Sequence, residues 1–132
     1  MITTQLSVFV ENGIGAIAEP LRLLGENGFN LRAFTIADTS DYGIIRLIAD
    51  EPSRAAETLR AGGYTVNLAD VLLVEMPNTP GAFSKALKKM SDNGINIEYA
   101  YTHSTSPGEN GESSAYAVLR VNDTERALGL LG

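Results

Sequence analysis

The sequence contains no cysteine and no tryptophan, and its one histidine is His103. Without cysteine there is no disulfide, no thiolate metal site and no thiol nucleophile. A lone histidine without a supporting cluster of histidines or carboxylates does not indicate a metal site. Nucleophile motifs, phosphate-binding loops and metal-ligand spacings are also missing. We therefore expect no catalytic residues, no metal and no cofactor, and a protein that is not an enzyme. A small hydrolase that uses one Arg and one Asn is the enzymatic alternative.

Basic residues are scarce as well: 10 Lys and Arg stand against 16 Asp and Glu, for a formal net charge of −6. Nucleic-acid binders need a basic surface to displace counterions from phosphates, so we expect no nucleic-acid partner. The same charge disfavours an anionic membrane surface. No apolar run approaches the length of a membrane-spanning helix, and the first residues, "MITTQLSVFV", lack the features of a secretory signal. These observations predict a cytoplasmic protein.

What the sequence does contain is an internal repeat. At a constant offset of 66 positions, residues 11–31 align with residues 77–97 without a gap, and seven positions are identical. Roughly one or two identities would be expected by chance. A duplication of this kind sets the whole architecture. The identical pairs are Asn12/Asn78, Gly15/Gly81, Ala16/Ala82, Leu21/Leu87, Asn27/Asn93, Gly28/Gly94 and Asn30/Asn96.

Each repeat shows the same order of predicted elements. A Val- and Leu-rich strand ("QLSVFV" or "VLLVEM") precedes an amphipathic helix, a hairpin of two strands and a second helix. In the first repeat the second helix is predicted to begin near Pro52 and to end at Gly62-Gly63, before a last strand, "YTVNL". The second repeat ends after its second helix, "DTERALGLL", for which "NDT" at 122–124 supplies an N-cap.

This order predicts an α+β fold of two ferredoxin-like βαββαβ units in tandem, the second lacking its final strand. The expected domains are residues 1–68 and 69–132, called the first and second repeat below. One unit of about 60 residues buries too little surface to be stable alone. We therefore expect the two units to pack as one pseudo-symmetric body.

The ends of the first helices carry specific signals. Asn-Gly after each first helix predicts a helix stop, because these residues tolerate the left-handed conformation. In the second repeat, Asn78 or Thr79 followed by Pro80 predicts a helix start with the proline at the first helical position. In the first repeat, Pro20 falls inside the helical pattern and predicts a bend or a short helix.

A second asparagine makes both repeats unusual. Asn12 and Asn78 lie in the loop after the first strand, and eighteen residues later Asn30 and Asn96 precede the second strand. An Asn side chain both donates and accepts, so it can hold an α-amino group and a carboxylate together. Within one unit the two positions need not be close, but next to a second unit they can face a common crevice.

The loop glycines and helix starts suit the same purpose. A glycine in the loop, Gly15 or Gly81, lets backbone N–H groups approach a ligand, and a helix start favours negative charge. The structural alternative is that the loop asparagines are N-caps and that the pre-strand asparagines close Asx-turns.

The segments "FVENGIGAIAEPLRLLGENGFNLRAF" and "NTPGAFSKALKKMSDNGINIEY" resemble the ACT domain family, whose members sense small molecules and are often fused to enzymes of amino-acid biosynthesis. The resemblance covers nearly the whole chain as a tandem pair. Family members that bind serine and related amino acids use the loop Asn and the pre-strand Asn. Ile14 stands where the family usually has proline. Val10 and Met76 stand where some members have histidine, which counts against serine.

By this resemblance we expect a regulatory sensor that binds a free amino acid or similar small metabolite and acts allosterically on a metabolic enzyme or pathway. The alternative is an oligomerisation or protein-interaction module that has lost its ligand. An unfinished second repeat would leave an open sheet edge, so a homodimer, or a complex with the regulated enzyme, is also expected. The implied ligand-binding residues are Asn12, Gly13, Ile14, Gly15, Asn30, Leu31, Asn78, Pro80, Gly81, Asn96 and Ile97.

Overall fold

The computed structural model describes residues 1–11, 13–38, 41–77, 79–104 and 114–131, with all side chains in these ranges except those of residues 38, 103, 104, 114 and 115. The predicted α+β element order is confirmed, with one difference. The last strand of the first repeat and the first strand of the second are a single continuous strand. The elements are β1 (Ile2–Glu11), α1 (Ala18–Glu26), β2 (Leu31–Asp38), β3 (Tyr42–Ala49), α2 (Pro52–Ala61), β4 (Thr65–Pro77), α3 (Ala82–Asp92), β5 (Ile97–Ser104), β6 (Ser114–Val121) and α4 (Thr124–Leu131).

The chain divides into two compact units, and one of them comprises Thr4–Ala69. Its strand order is β2-β3-β1-β4. Strand β3 pairs antiparallel with both β1 and β2, and Leu47 lies opposite Leu6 on one side and opposite Phe34 on the other. The helices α1 and α2 contribute Leu24 and Leu59 to a core with the apolar residues of one sheet face. The buried members of this core are Leu6, Val8, Val10, Leu24, Phe29, Ile45, Leu47, Ala49, Ala55, Ala56, Leu59 and Val66.

The other unit comprises Met1–Thr3 and Asp70–Gly132. Its strand order is β1-β4-β6-β5, in which Met1–Thr3 provides the β1 portion. Strands β4 and β6 pair antiparallel with Leu72 opposite Leu119. The buried core residues are Leu72, Met90, Ile95, Ala117, Leu119, Val121 and Ala127.

The first residues of the chain lie beside β4 in this second unit. The backbone N–H of Leu73 donates to the carbonyl of Met1 at 2.8 Å, and the Met1 amino group donates to the carbonyl of Leu73 at 3.1 Å. The expectation of an open edge at the first strand of the second repeat is therefore wrong. Met1 and the first residues of β1 pair with β4 at the position that a final strand of the second repeat would occupy.

The first helix of each repeat ends in the same way. The Asn side chain after the helix donates to a carbonyl four residues earlier, from Asn27 to Leu23 and from Asn93 to Lys89, at 2.8 Å in both cases. The glycine that follows has a φ of +81° in the first repeat and +75° in the second. This left-handed conformation suits glycine and closes the helix. The predicted Asn-Gly helix stop is confirmed in both repeats.

The first helices begin differently from the prediction. Helix α1 starts at Ala18, so Pro20 lies in the first turn, where its missing N–H would have no intrahelical partner. The helix is short, with 9 residues, as one predicted outcome has it. Helix α3 starts at Ala82, and Gly81 is its N-cap residue with a φ of 84°. Pro80 therefore precedes the helix, and its predicted placement at the first helical position is wrong. The left-handed Gly81 turns the chain into the helix after the proline.

The second helices match their predicted positions. Helix α2 buries Ala55, Ala56 and Leu59 completely. Helix α4 is capped by Asp123, whose Oδ1 accepts the N–H of Arg126 at 3.1 Å, and this confirms the predicted N-cap in residues 122–124. Across the described ranges, none of the helices has both the length and the apolar composition that a membrane crossing requires.

Candidate functional site

The loop between β1 and α1 carries three of the predicted ligand-binding residues, Gly13, Ile14 and Gly15. Two backbone hydrogen bonds hold it: Ala16 N–H donates to Gly13 O at 3.1 Å, and Glu19 N–H donates to Gly15 O at 3.3 Å. Gly15 has a φ of +78°, and a Cβ added there would meet nothing within 4 Å. Its backbone conformation, and not a lack of space, therefore explains the glycine. Asn12 lies outside the described residues.

A cleft of about 760 Å³ borders this loop within the Thr4–Ala69 unit. It lies between the end of β1, the start of α1 and the turn from α2 to β4. The Ile14 side chain at the cleft is fully exposed. The lining combines apolar side chains with a phenol and two carboxylates, a mixture that can hold a small molecule with one apolar and one cationic part. It includes Phe9, Glu11, Ile14, Gly15, Glu19 and Tyr64.

The two carboxylates of the cleft differ in their partners. Glu19 accepts hydrogen bonds from Arg22, which lowers the pKa of the Glu19 carboxyl below its usual value. Arg22 also donates to Glu26 at 2.5 Å, and its two carboxylate partners raise the pKa of its guanidinium. Glu11, by contrast, has no ion-pair partner among the described residues. Glu11 is thus the carboxylate at the cleft that is open to a ligand ammonium group.

The corresponding loop of the second repeat has a similar backbone. Thr79 N–H donates to Pro77 O at 2.9 Å, and Ala82 N–H donates to Thr79 O at 3.3 Å. Gly81 matches Gly15 in its positive φ of +84°, and a Cβ at Gly81 would also meet nothing within 4 Å. Pro80 and Gly81 are exposed. Asn78 lies outside the described residues.

The pre-strand asparagines Asn30 and Asn96 occupy equivalent, exposed positions. Their carbonyls accept a backbone N–H from the end of the same repeat's third strand, Asp50 at 3.3 Å and Asn122 at 3.2 Å. Within the described residues, neither side-chain amide makes a hydrogen bond. In the second repeat, the backbone N–H of Asn96 donates a hydrogen bond to Oδ1 of Asn122 at 2.9 Å. The Asx-turn alternative therefore does not describe the Asn30 and Asn96 side chains in this part of the structure.

The residues that follow these asparagines anchor them to the core. Leu31 and Ile97 are half-buried and pack against the hydrophobic clusters of their respective units. A partly buried hydrophobic neighbour that packs against the core restrains the backbone of the exposed residue beside it, since packed interiors yield little. Each pre-strand Asn is thus an exposed amide on a fixed strand end.

Within one repeat, the loop and the pre-strand Asn lie at opposite ends of the sheet. Glu11 at the end of β1 pairs with Tyr42, whereas Leu31 at the start of β2 pairs with Ala49. These partners are seven residues apart on β3, which corresponds to about 23 Å. A single unit does not bring the two groups of predicted residues together. The second repeat has the same register, with Pro77 opposite Ser114 and Ile97 opposite Val121.

Two parts of this region were not predicted. Glu11 directly precedes the loop residue Asn12, so its position in the sequence could have indicated that it lies near the proposed site. Tyr64 lines the same cleft from the turn before β4, and only the folding of the chain brings it there. The side chain of His103 lies outside the described residues. In the described ranges, no three His, Asp or Glu side chains form a group that could hold a metal ion.

The family profile described as "ACT domain pair" matches residues 1–131. Protein BT0572 from Bacteroides thetaiotaomicron is similar in structure, with a TM-score of 0.88 and 34% sequence identity, over 99% of this chain and 87% of that chain. No curated protein sequence matches the chain.

Two more distant structures share the fold. The regulatory subunit of aspartate kinase from Thermus thermophilus, in its ligand-free form, matches with a TM-score of 0.71 and 17% identity over 98% of this chain and 94% of that chain. The regulatory subunit of aspartate kinase from Thermus flavus matches with a TM-score of 0.67 and 19% identity, over 99% and 93%.

Proposed function

The chain belongs to the ACT domain pair family, and from this premise we propose that it is a regulatory protein that binds a free amino acid or a similar small metabolite. The two structurally similar Thermus proteins are regulatory subunits of aspartate kinase, which supports a regulatory role for the same fold here. In this proposal the protein is cytoplasmic, is not itself an enzyme, and acts allosterically on a metabolic enzyme or pathway.

The observation that carries the proposal is the state of the Asn30 and Asn96 side chains. Both amides are exposed, and within the described residues neither makes a hydrogen bond. Each sits on a strand end anchored by a half-buried neighbour. A pre-organised amide with free donors and a free acceptor loses little conformational freedom when it binds a polar ligand. Its occurrence at the same position of both repeats supports a shared role in binding.

The cleft beside the loop of the first repeat supplies complementary groups. Glu11 offers a carboxylate to an ammonium group, and Phe9 offers an apolar surface to a ligand side chain. The loop asparagines, Asn12 and Asn78, are proposed as further ligand-binding residues, together with the pre-strand asparagines. Gly13, Ile14, Gly15, Pro80 and Gly81 form the loop walls of the two sites.

The expected affinity suits a metabolite sensor. A free amino acid has about nine heavy atoms, and at a few tenths to half a kcal/mol per atom its dissociation constant falls roughly between millimolar and tens of micromolar. A ligand that binds one conformation of the protein more tightly than the others shifts the population toward that conformation. That difference in affinity is what allosteric control of a partner enzyme requires.

A second candidate function is an interaction module that binds no metabolite. Ile14 favours it, because this side chain is fully exposed at the cleft rim where the family usually has proline. A large apolar side chain in that position suits contact with another protein.

A thermal-shift screen against the twenty amino acids and close metabolites tests the proposal. A ligand at a hundred times its dissociation constant adds about 2.7 kcal/mol to the free energy of unfolding, so a true ligand produces a clear shift in melting temperature. If no compound shifts the melting temperature, the sensor proposal fails and the interaction module leads.

A hit is then tested with single substitutions. Asn12→Ala, Asn30→Ala, Asn78→Ala and Asn96→Ala each remove one proposed ligand-binding amide, and Asn67→Ala removes an exposed Asn of β4 that is not among them. We expect weaker binding in at least one of the four variants and unchanged binding in Asn67→Ala. Unchanged affinity in all four would refute the proposed site.

A further inference from the structure

The two pre-strand asparagines have equivalent side chains, but their backbone N–H groups differ in their partners. The N–H of Asn96 donates to Oδ1 of Asn122 at 2.9 Å. Asp50 takes the place of Asn122 in the first repeat, since each donates its own backbone N–H to the carbonyl of the pre-strand Asn. No described residue accepts the N–H of Asn30. In the described ranges, the protein therefore closes this N–H in the second repeat and leaves it open in the first.

The residue two positions after each pre-strand asparagine accounts for this difference. In the first repeat it is Arg32, whose Nε donates to Oδ1 of Asp50 at 3.0 Å. The guanidinium therefore holds the carboxylate that corresponds to the capping amide of Asn122. In the second repeat the residue is Glu98, which has no N–H to donate to Asn122 and pairs with Arg120 instead, with Oε2 and Nε 3.5 Å apart. The side chain of Asn122 is then available to cap the backbone.

The ion pair of the first repeat is exposed and keeps free hydrogen-bonding groups. The side chain of Arg32 is 63% exposed and that of Asp50 is 42% exposed. Arg32 uses its Nε–H on Asp50, and within the described part of the chain its two Nη groups and Oδ2 of Asp50 have no hydrogen-bond partner. Because the backbone N–H of Asp50 binds the carbonyl of Asn30 at 3.3 Å, the ion pair lies beside the open N–H and the amide of Asn30.

We propose that Asn30, Arg32 and Asp50 bind the zwitterionic head group of an amino acid, and that the second repeat does not bind it at the equivalent place. The Nη groups of Arg32 and the N–H of Asn30 donate to the α-carboxylate, and Asp50 accepts from the α-ammonium group. A guanidinium matches the planar geometry of a carboxylate.

The second repeat lacks this combination of charges. Glu98 stands in place of the guanidinium and repels a carboxylate, and Asn122 already occupies the backbone N–H of Asn96. This inference rests on the proposed function and adds to it the repeat that binds, the two charged residues and the chemistry of the bound group.

Solvent exchange of the backbone amides, measured by NMR, tests the difference between the repeats without any ligand. After correction for intrinsic rates, the N–H of Asn30 should exchange at least about fivefold faster than that of Asn96, which has a hydrogen bond to break first. Asn122→Ala should speed exchange at Asn96 and abolish the difference. Equal rates in the unaltered chain, or an Asn96 rate that Asn122→Ala leaves unchanged, would overturn the proposal.

A titration of the ¹⁵N-labelled chain with an equimolar mixture of the twenty standard L-amino acids tests binding. The signals of the Asn30 N–H and the Arg32 Nε–H should shift, and that of the Asn96 N–H should not.

A double substitution that copies the second repeat into the first sharpens this test. Arg32→Glu/Asp50→Asn introduces the residues of Glu98 and Asn122, so it should slow exchange at Asn30 and abolish the shift of its signal with the mixture. Arg22→Gln removes another exposed ion-paired arginine of the same unit and should leave both results unchanged. Exposed ion pairs contribute little to stability, so these variants should fold, and circular dichroism checks it.

The outcomes separate this inference from the proposed function. Shifts elsewhere in the chain that spare Asn30, or a shift at Asn30 that survives the double substitution, would overturn the inference and leave the proposed function standing. A mixture that shifts no signal of the unaltered chain would overturn both. The exchange rates and the titration of the unaltered chain decide the matter even if the double variant does not fold.

Discussion

The two repeats share the features that close the first helix and expose an asparagine, and they differ in how their second helices begin. Both first helices end with an Asn side chain on the carbonyl four residues earlier and a left-handed glycine. Helix α4 starts with the Asp123 cap, whereas α2 starts at Glu51, which has a φ of 51° and makes no side-chain cap. The shared helix ends lie just before the pre-strand asparagines that are proposed to bind the ligand, and the different helix starts are expected to affect stability. Substitutions at matched positions test this division.

The largest loss of stability is expected at the buried core position that Leu24 occupies in the first repeat and Met90 in the second. Both side chains are completely buried, and they are equivalent at the offset of 66. Leu24→Ala and Met90→Ala should each lower the free energy of unfolding by about 3 kcal/mol, through lost burial and a residual cavity. Urea unfolding measures both. Met90→Leu, which keeps the volume, should cost less than about 1.5 kcal/mol. A loss below about 1 kcal/mol in either alanine variant would show that this position is not a core site in that repeat.

A smaller effect is expected at the cap of α4. Asp123→Ala removes the acceptor for the Arg126 N–H and should cost about 1 kcal/mol of stability. Asp123→Asn keeps an acceptor and should cost much less. Thermal unfolding of the unaltered chain and the two variants measures the difference in stability. Equal stability of Asp123→Ala and the unaltered chain would show that the cap contributes nothing.

At Glu51, which precedes α2 as Asp123 precedes α4, a substitution is expected to raise the stability instead of lowering it. Glu51→Gly removes a left-handed non-glycine residue, a strain of about 1 kcal/mol, and loses only the exposed pair with Arg54. After the greater unfolded-state freedom of glycine is subtracted, a net gain of about 0.5 kcal/mol is expected. Asp123→Gly should instead lose a few tenths of a kcal/mol. Destabilisation by both glycines would contradict the assigned difference between the two helix starts.

The smallest effect concerns the exposed charges of the first helices. Arg22 pairs with two carboxylates, whereas its equivalent in α3, Lys88, pairs with one carboxylate among the described residues, that of Asp92. The folded-state pKa of Glu19 is lowered, so its contribution to stability is present above the unfolded-state pKa and is lost as the pH falls through the folded-state pKa. Arg22→Gln should return the pKa of Glu19 to its usual value in an NMR titration. Lys88→Gln should leave that pKa unchanged. A Glu19 pKa that stays low in Arg22→Gln would contradict the assigned cause.

The element order and the helix stops could be predicted from the sequence because they depend on local signals, periodicity and left-handed Asn-Gly pairs. The start of α3 could not be predicted from the sequence. It depends on the left-handed backbone conformation of Gly81, which makes Gly81 the N-cap residue and leaves Pro80 before the helix. The place of Met1 beside Leu73 was also missed. It depends on pairing between residues 72 positions apart, for which the short N-terminal stretch carries no pattern.

The candidate site divides in the same way. The four asparagines and two glycines were evident from repetition, and the structure shows Asn30, Asn96, Gly15 and Gly81 in equivalent settings within their repeats. The place of Tyr64 in the cleft could not be predicted from the sequence, because only the turn before β4 brings it beside the end of β1.

The most direct test of the proposed function compares three proteins in one thermal-shift experiment with the amino acid that gives the largest shift. We expect that saturating ligand raises the melting temperature of the unaltered chain and of Asn67→Ala, and that the Asn30→Ala/Asn96→Ala double variant shows no rise at the same concentration. A rise of equal size in the double variant, or no amino acid that raises the melting temperature of the unaltered chain, would contradict ligand binding through the pre-strand asparagines.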